Sequence, residues 1–293
     1  NIAGLFFRKY RMALKKRAKR YFFSFFFILF LLASRSSALQ NAQTRDFSNV
    51  KVEWKTLDEF PAVQTALYSE RQLLIRCAKI DLTAPGLKIK MYPQKLNSSE
   101  TYYAEEFSQK SGAVLAINTT PFYVRENGAK KRHSTAGLCI NNGETFSKAI
   151  SGYCALGFFG FREGSDASER RAAIFSSQKD KELESADFAA GGFWQILKNK
   201  KTLQFKELRD SRTAVGLDAS GTVLFIIAVE GEIPSKSAGL TYMECAEFLR
   251  ALGCENAMQF DGGSSTQMCV NKKSVLSYKN YVKVPALLGF AFD

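Results

Sequence analysis

Residues 241–268 read TYMECAEFLRALGCENAMQFDGGSSTQM, and the stretch predicts a capped helix, a short strand and a glycine-rich turn opened by an acid. Thr241 and Glu244 have the spacing of a capping box. Met243, Ala246, Leu249 and Leu252, with Phe248, make an apolar helical stripe that stops at Gly253. A strand is expected from Asn256 to Phe260. Asp261-Gly262-Gly263 then sets a carboxylate at the strand's carboxyl end, beside backbone that no Cβ shields, and Ser264, Ser265 and Thr266 add hydroxyls. Such a turn presents N–H groups to an anion.

The stretch before it is a hairpin. Arg212–Leu217 and Thr222–Val229 flank Asp218-Ala219-Ser220-Gly221, a strong turn signal between two strand-forming runs. If Leu217 faces Thr222, Arg212 lies opposite Ile227, and its guanidinium starts within a few residues of Glu230. The strand–helix–strand passage that follows favours a parallel return in the same sheet, which sets Asp261 on that end too.

Further out, Leu73–Leu82 and Leu87–Met91 read as a strand pair about a Pro85-Gly86 turn. A helix is expected over Glu100–Lys110, and the apolar run Ala113–Ile117 reads as a covered strand with Asn118 at its carboxyl end. Residues 119–135 read as a polar loop holding Phe122, Tyr123, Arg125 and His133, of a length that is often functional. Strands are expected at Ala136–Ile140, Ala155–Phe161, Ala172–Phe175 and Ala286–Phe290, with a short helix over Gln178–Asp187. The expected fold class is α/β, in its α+β form. It is a single domain over 70–293, with a central mixed β-sheet flanked by helices and the active site at the carboxyl ends of strands.

The chain has 293 residues and a formal charge of +13. Nine of the basic residues lie in residues 1–38, which hold no acid, and setting them aside leaves +4. The charge therefore gives no argument for a nucleic-acid partner. Those 38 residues have the basic opening, apolar run (Tyr21–Ala33) and small residues (Ser36, Ala38) of a secretory signal. The expectation is export, with transient membrane contact through the signal, and an uncleaved anchor as the alternative. A lead segment over 39–69 then precedes the domain. All six cysteines follow the signal, so an oxidising compartment would permit pairing, and buried free thiols are the alternative. Asn97 and Asn118 head glycosylation sequons.

Four polar groups at strand ends, Asn118, Arg212, Glu230 and Asp261, are what an open α/β ligand site requires. Glu230 and Asp261 have the separation range of a glycosidic acid pair, and equally each can serve as a turn former, as Arg212 can serve a structural ion pair. His133 is the sole histidine, and no G-x-S-x-G, H-E-x-x-H, EF-hand or Walker pattern is present. Neither a Ser-His-Asp hydrolase nor dependence on a metal or cofactor has positive support. Phe122, Tyr123, Phe193 and Trp194 are candidates for stacking on a sugar or for the core.

The runs AINTTPFY (116–123), GLCINNG (137–143), RTAVGLD (212–218), VEG (229–231) and 239–266, taken in order, resemble the phosphodiester glycosidase family over residues 70–293. The resemblance implies a hydrolase of sugar-1-phosphodiesters acting on a carbohydrate or phosphoglycan; no cofactor is expected, because no motif for one is present, and metal dependence is left open. By it, Asp261, Glu230 and Arg212 are the catalytic candidates. Asn118, Thr213, Gly262, Gly263, Ser264 and Ser265 are the substrate-binding candidates, and we add His133 from its loop. The chain departs from the family's pattern at three places: Thr119-Thr120-Pro121 after the asparagine, Glu230 where aspartate is common, and Ser264 for a third glycine. A non-catalytic polysaccharide-binding module is the alternative reading.

Overall fold

The computed structural model describes residues 45–95, 98–127 and 130–293. The expected signal over 1–38 and the Asn97 sequon lie outside them. Among the described residues no helix is long and apolar enough to cross a membrane. From Asp46 onward the chain forms one unit.

The fold is built mainly of antiparallel β-sheet with two helices among the described residues, so the expected α/β class, with a mixed sheet flanked by helices, is met only in part. Its largest sheet has eight strands in the order Lys55–Leu57, Phe60–Glu70, Leu73–Asp81, Val223–Val229, Arg212–Leu217, Asn256–Gln259, Gln195–Lys198, Lys201–Thr202. Every neighbouring pair is antiparallel. The first two strands fall in the stretch read from sequence as a lead. The crossover through the helix does return parallel to Val223–Val229, but Arg212–Leu217 lies between the two strands and opposes both. A same-direction return therefore coexists with a sheet whose neighbours all run antiparallel.

Two five-stranded sheets complete the frame. One runs Arg171–Phe175, Ala155–Phe159, Phe188–Gly191, Cys139–Asn141, Glu144–Ser147, and the other Lys273–Ser274, Met268–Val270, Leu115–Asn118, Leu287–Phe292, Leu87–Tyr92. Leu73–Asp81 and Leu87–Tyr92, expected to pair with each other, lie in different sheets, and the Pro85-Gly86 turn passes the chain between them. Residues 119–135, expected as a loop, hold a two-stranded hairpin, Phe122–Asn127 with Lys130–Thr135. The expected helix over Gln178–Asp187 is a 3-10 turn at Lys181–Ser185.

Strand alternation decides which side of the large sheet each residue faces. Ile226, Ala228, Met258 and Phe260 enter the core shared with the smaller sheets. Phe225, Ile227, Val229 and Ala257 enter the core beneath the helix Tyr242–Ala251. That helix buries Phe248, Leu249, Cys245 and Ala246, and each large apolar side chain so covered contributes about 1.5–3 kcal/mol. Its start is as expected: Thr241 Oγ1 accepts from the Glu244 N–H, and Glu244 Oε2 accepts from the Thr241 N–H. The other helix among the described residues, Ala104–Ser111, opens with the Tyr103 N–H on Glu106 Oε2.

Candidate active site

Asp261 stands one residue past Phe260, whose N–H donates to the Thr213 carbonyl. Its own N–H donates to Thr119 O at 2.8 Å and the Gly263 N–H to Ser211 O at 2.8 Å, so the turn is tied to two neighbouring segments. Only glycine fits here. A Cβ on Gly262 would meet Ser211 O at 2.8 Å, and Gly263 has φ +57°. The half-buried Asp261 carboxylate accepts from the Gly262 N–H at 3.2 Å and from the Ser265 hydroxyl. Burial outweighs these bonds and holds its pKa above the usual carboxylate value.

Arg212 lies at the same sheet end. The hairpin register pairs it with Val229, two residues on from the expected Ile227, because Asp218 Oδ1 takes the Val223 N–H at 2.9 Å and lengthens the loop. Its guanidinium is buried, donating from Nε to Leu240 O (3.0 Å) and from Nη2 to Leu208 O (2.6 Å), and lies 4.3 Å from the Tyr242 ring centre. Two of its five N–H donors are thereby used, and none meets a carboxylate within 4.0 Å among the described residues. Tyr242 joins the two candidates. Burial raises its phenol pKa, the Arg212 charge lowers it and the Asp261 charge raises it.

Asn118 reaches this turn from a different sheet. Its Nδ2 donates to Asp261 O (2.8 Å), and its Oδ1 accepts from Thr213 Oγ1 (2.7 Å) and the Gln267 N–H (2.9 Å). Fully buried, it clamps the turn, and its sequon offers nothing to a glycosylating enzyme in the folded chain. Ser265 is buried and Ser264 is exposed.

A profile of the phosphodiester glycosidases matches residues 111–290. The chain belongs to this family. No curated protein matches it in sequence. Among solved structures, the fold is similar to a hypothetical protein from Synechocystis, with TM-score 0.64 and 14% identity, covering 84% of this chain. This chain spans 64% of that protein's length. The fold is also similar to the catalytic domain of zebrafish N-acetylglucosamine-1-phosphodiester alpha-N-acetylglucosaminidase, auto-inhibited by its pro-peptide. There the TM-score is 0.61 and the identity 15%, over 83% of this chain and 89% of that one. A Burkholderia pseudomallei protein, described provisionally as exported, has TM-score 0.57 and 12% identity over 78% of this chain and 74% of that one.

The family's motif residues do not all meet. Glu230 shares the sheet end of Arg212 and Asp261 but takes the opposite face, since Val229 lies with the helix-side core and the pleat turns the next residue over. Its buried carboxylate pairs with Arg76 Nε at 2.9 Å and accepts from the Ser277 N–H and hydroxyl. His133 sits on the hairpin, its ring 5.6 Å from that of Phe122, with no hydrogen bond to the Asp261 turn among those described. The core takes the Phe122 side, while Tyr123 stays exposed. Trp194, 37% exposed, stacks on Phe193 and lies 5.4 Å from Tyr242, forming an aromatic wall that leads to Arg212.

Two neighbours are not among the candidates named from sequence. Tyr242, the first helical residue, packs its ring against Arg212, which lies thirty positions earlier in the chain. Asp210 accepts the Ser211 N–H at 2.8 Å, and its Oδ2 lies 3.5 Å from where a Gly263 Cβ would be. Its place two residues before Arg212 was the available signal. Among the described residues no three His, Cys, Asp or Glu side chains gather to hold a metal. A cavity of about 820 Å³ lies elsewhere, between Lys88, Asn141 and Arg162, and no motif residue of the turn lines it.

Proposed function

We propose that the chain is an exported hydrolase of sugar-1-phosphodiester bonds, acting on an envelope or extracellular glycan. The observation that carries this reading is Asp261 and Arg212 at one sheet end, where a Cβ on Gly262, the residue next to Asp261, would lie 3.7 Å from Arg212 Cδ. A carboxylate there can attack the anomeric carbon or take a proton from the attacking water. The unused guanidinium N–H groups of Arg212 can donate to phosphoryl oxygens. The bond between the anomeric carbon and the bridging oxygen breaks, and that oxygen leaves with the phosphomonoester. This leaving group needs charge stabilisation more than a strong acid.

In this reading Trp194 offers a face to the sugar, the Gly262-Gly263 turn with Ser264 and Ser265 borders it, and Asn118 and Thr213 hold the turn. Glu230 acts through the Arg76–Ser277 bracket rather than by proton transfer. The signal-like pattern of residues 1–38 supports export, and the provisional description of the Burkholderia protein agrees with it. The domain is taken as residues 70–293 with the sheet's first strands appended.

The test is release of free sugar from an N-acetylglucosamine-1-phosphodiester by the full chain. Asp261→Asn should lower turnover by about 10²–10⁴-fold. Because burial raises the Asp261 pKa, the acid limb of the wild-type rate profile should lie above the usual carboxylate value. Near-normal turnover in Asp261→Asn removes the role. Tight binding of a phosphoglycan left intact after long incubation supports the binding-module reading instead.

A further inference from the structure

The hairpin at residues 122–135 carries an arrangement that the proposed reaction does not use. Its register sets Arg125 directly opposite Arg132 and Tyr123 opposite Ser134. Alternation puts these four side chains on one face. Like charges facing each other across a strand pair are destabilising, and neither guanidinium has a carboxylate within 4.0 Å among the described residues. The hairpin's acid, Glu126, is engaged with Lys131 at 3.1 Å on the other face. Tyr123 is 57% exposed, and both arginines are exposed.

The hairpin is also anchored beside the Asp261 turn. Thr119 O accepts the Asp261 N–H, and two residues on Pro121 O accepts the Ala136 N–H at 2.7 Å, closing the hairpin's base. We propose that the Tyr123–Arg125–Arg132 face is a binding arm for a phosphate-bearing glycan chain, two guanidinium forks gripping a phosphate while the tyrosine ring stacks on an adjoining sugar. A phosphate between the forks relieves the repulsion that the register builds in. An anionic membrane surface fits less well. The exposed apolar side chain Val124 lies on the face opposite the arginines, so headgroup contact and insertion would draw on different faces. The proposal rests on the glycosidase reading only for which end of the substrate the arm meets.

The test compares Arg125→Ala/Arg132→Ala with the unaltered hairpin, each in the full chain carrying Asp261→Asn so that no turnover intervenes. Retention in gels containing phosphomannan, neutral mannan, or no polysaccharide gives the affinities. The double change should weaken phosphomannan binding by roughly tenfold or more, while leaving the weak neutral-mannan binding alone. Wild-type affinity should fall as salt rises, and Tyr123→Ala should weaken it too. In an otherwise wild-type chain, the double arginine change should leave turnover of a small soluble diester unchanged. Equal phosphomannan retention by both hairpins overturns the arm, as does tighter binding to anionic lipid vesicles than to phosphomannan. If no diester is ever hydrolysed but the retention difference persists, the reaction reading falls and the arm stands. Hydrolysis with equal retention leaves the reverse.

Discussion

Asp261 and Glu230 end strands of one sheet, yet their surroundings give them opposite consequences for stability. Burial raises the Asp261 pKa. In the pH window between the ordinary carboxylate value, about 3.9, and the raised one, the folded chain holds a proton that the unfolded chain has lost. Stability therefore falls as pH rises through that window, and the deficit persists at neutral pH. Asp261→Asn removes the charge but keeps an acceptor oxygen for the Gly262 N–H. Its thermal midpoint at pH 7 should exceed the wild type's even as turnover collapses, and the gap should close below pH 4 or so. Glu230 is the reverse case, a buried carboxylate matched by Arg76 and Ser277. Breaking a buried pair costs 3–5 kcal/mol, and the partial exposure of Arg76 reduces this to roughly 2–4. Glu230→Gln should lower the denaturation midpoint accordingly while the folded fraction retains most of its turnover. Loss of turnover at unchanged stability would instead make Glu230 the proton donor.

At the scale of elements, local signals were legible and partnerships were not. The helix Tyr242–Ala251 is announced by its capping box, and Thr241→Ala should destabilise the fold by about 1 kcal/mol in a urea titration. Glu244 would remain held by Arg209, which keeps the loss from growing further. The Asp261 turn and the Arg212 hairpin were readable for the same reason: glycines and turn residues act over a few positions. Strand order is set by cores that join distant segments, so nothing local showed that Arg212–Leu217 would sit between two parallel strands, or that the strands flanking Pro85-Gly86 would part. The hairpin slipped by two residues because one Asp218 side chain took a backbone N–H. An even slip leaves every side chain on its expected face. Parity alone therefore separates Glu230 from Arg212: Ile227 and Val229 share one face and residue 230 takes the other, in the expected register as in the observed one. Tyr242 beneath Arg212 has no such pattern, since a ring under a guanidinium thirty residues away leaves no spacing to read.

Across the whole molecule, the six cysteines show what kind of core this is. Sequence left them open between pairing and burial, and all six are free and buried. Cys139 and Cys154 lie in the core between the sheets, Cys77, Cys245 and Cys254 in the helix-side core, and Cys269 in a third cluster. They act as small apolar side chains. Burial pushes Cys77, Cys139 and Cys245 up to about 12 and Cys269 to about 11, and it raises Cys154 and Cys254 as well. An unfolded thiol loses its proton near 8.5. Above that pH the folded chain keeps protons that the unfolded chain has released, so stability must fall as pH rises. One unit above the unfolded value, each buried thiol costs roughly 1.4 kcal/mol. The thermal midpoint should therefore drop steeply between about pH 8 and 10, in reductant and without it alike, and less steeply in Cys154→Ala/Cys254→Ala. A thiol reagent at pH 8 should leave the native chain unlabelled and label all six positions in denaturant. Rapid native labelling, or a midpoint that reductant lowers, would mean that these thiols are exposed or paired rather than packed.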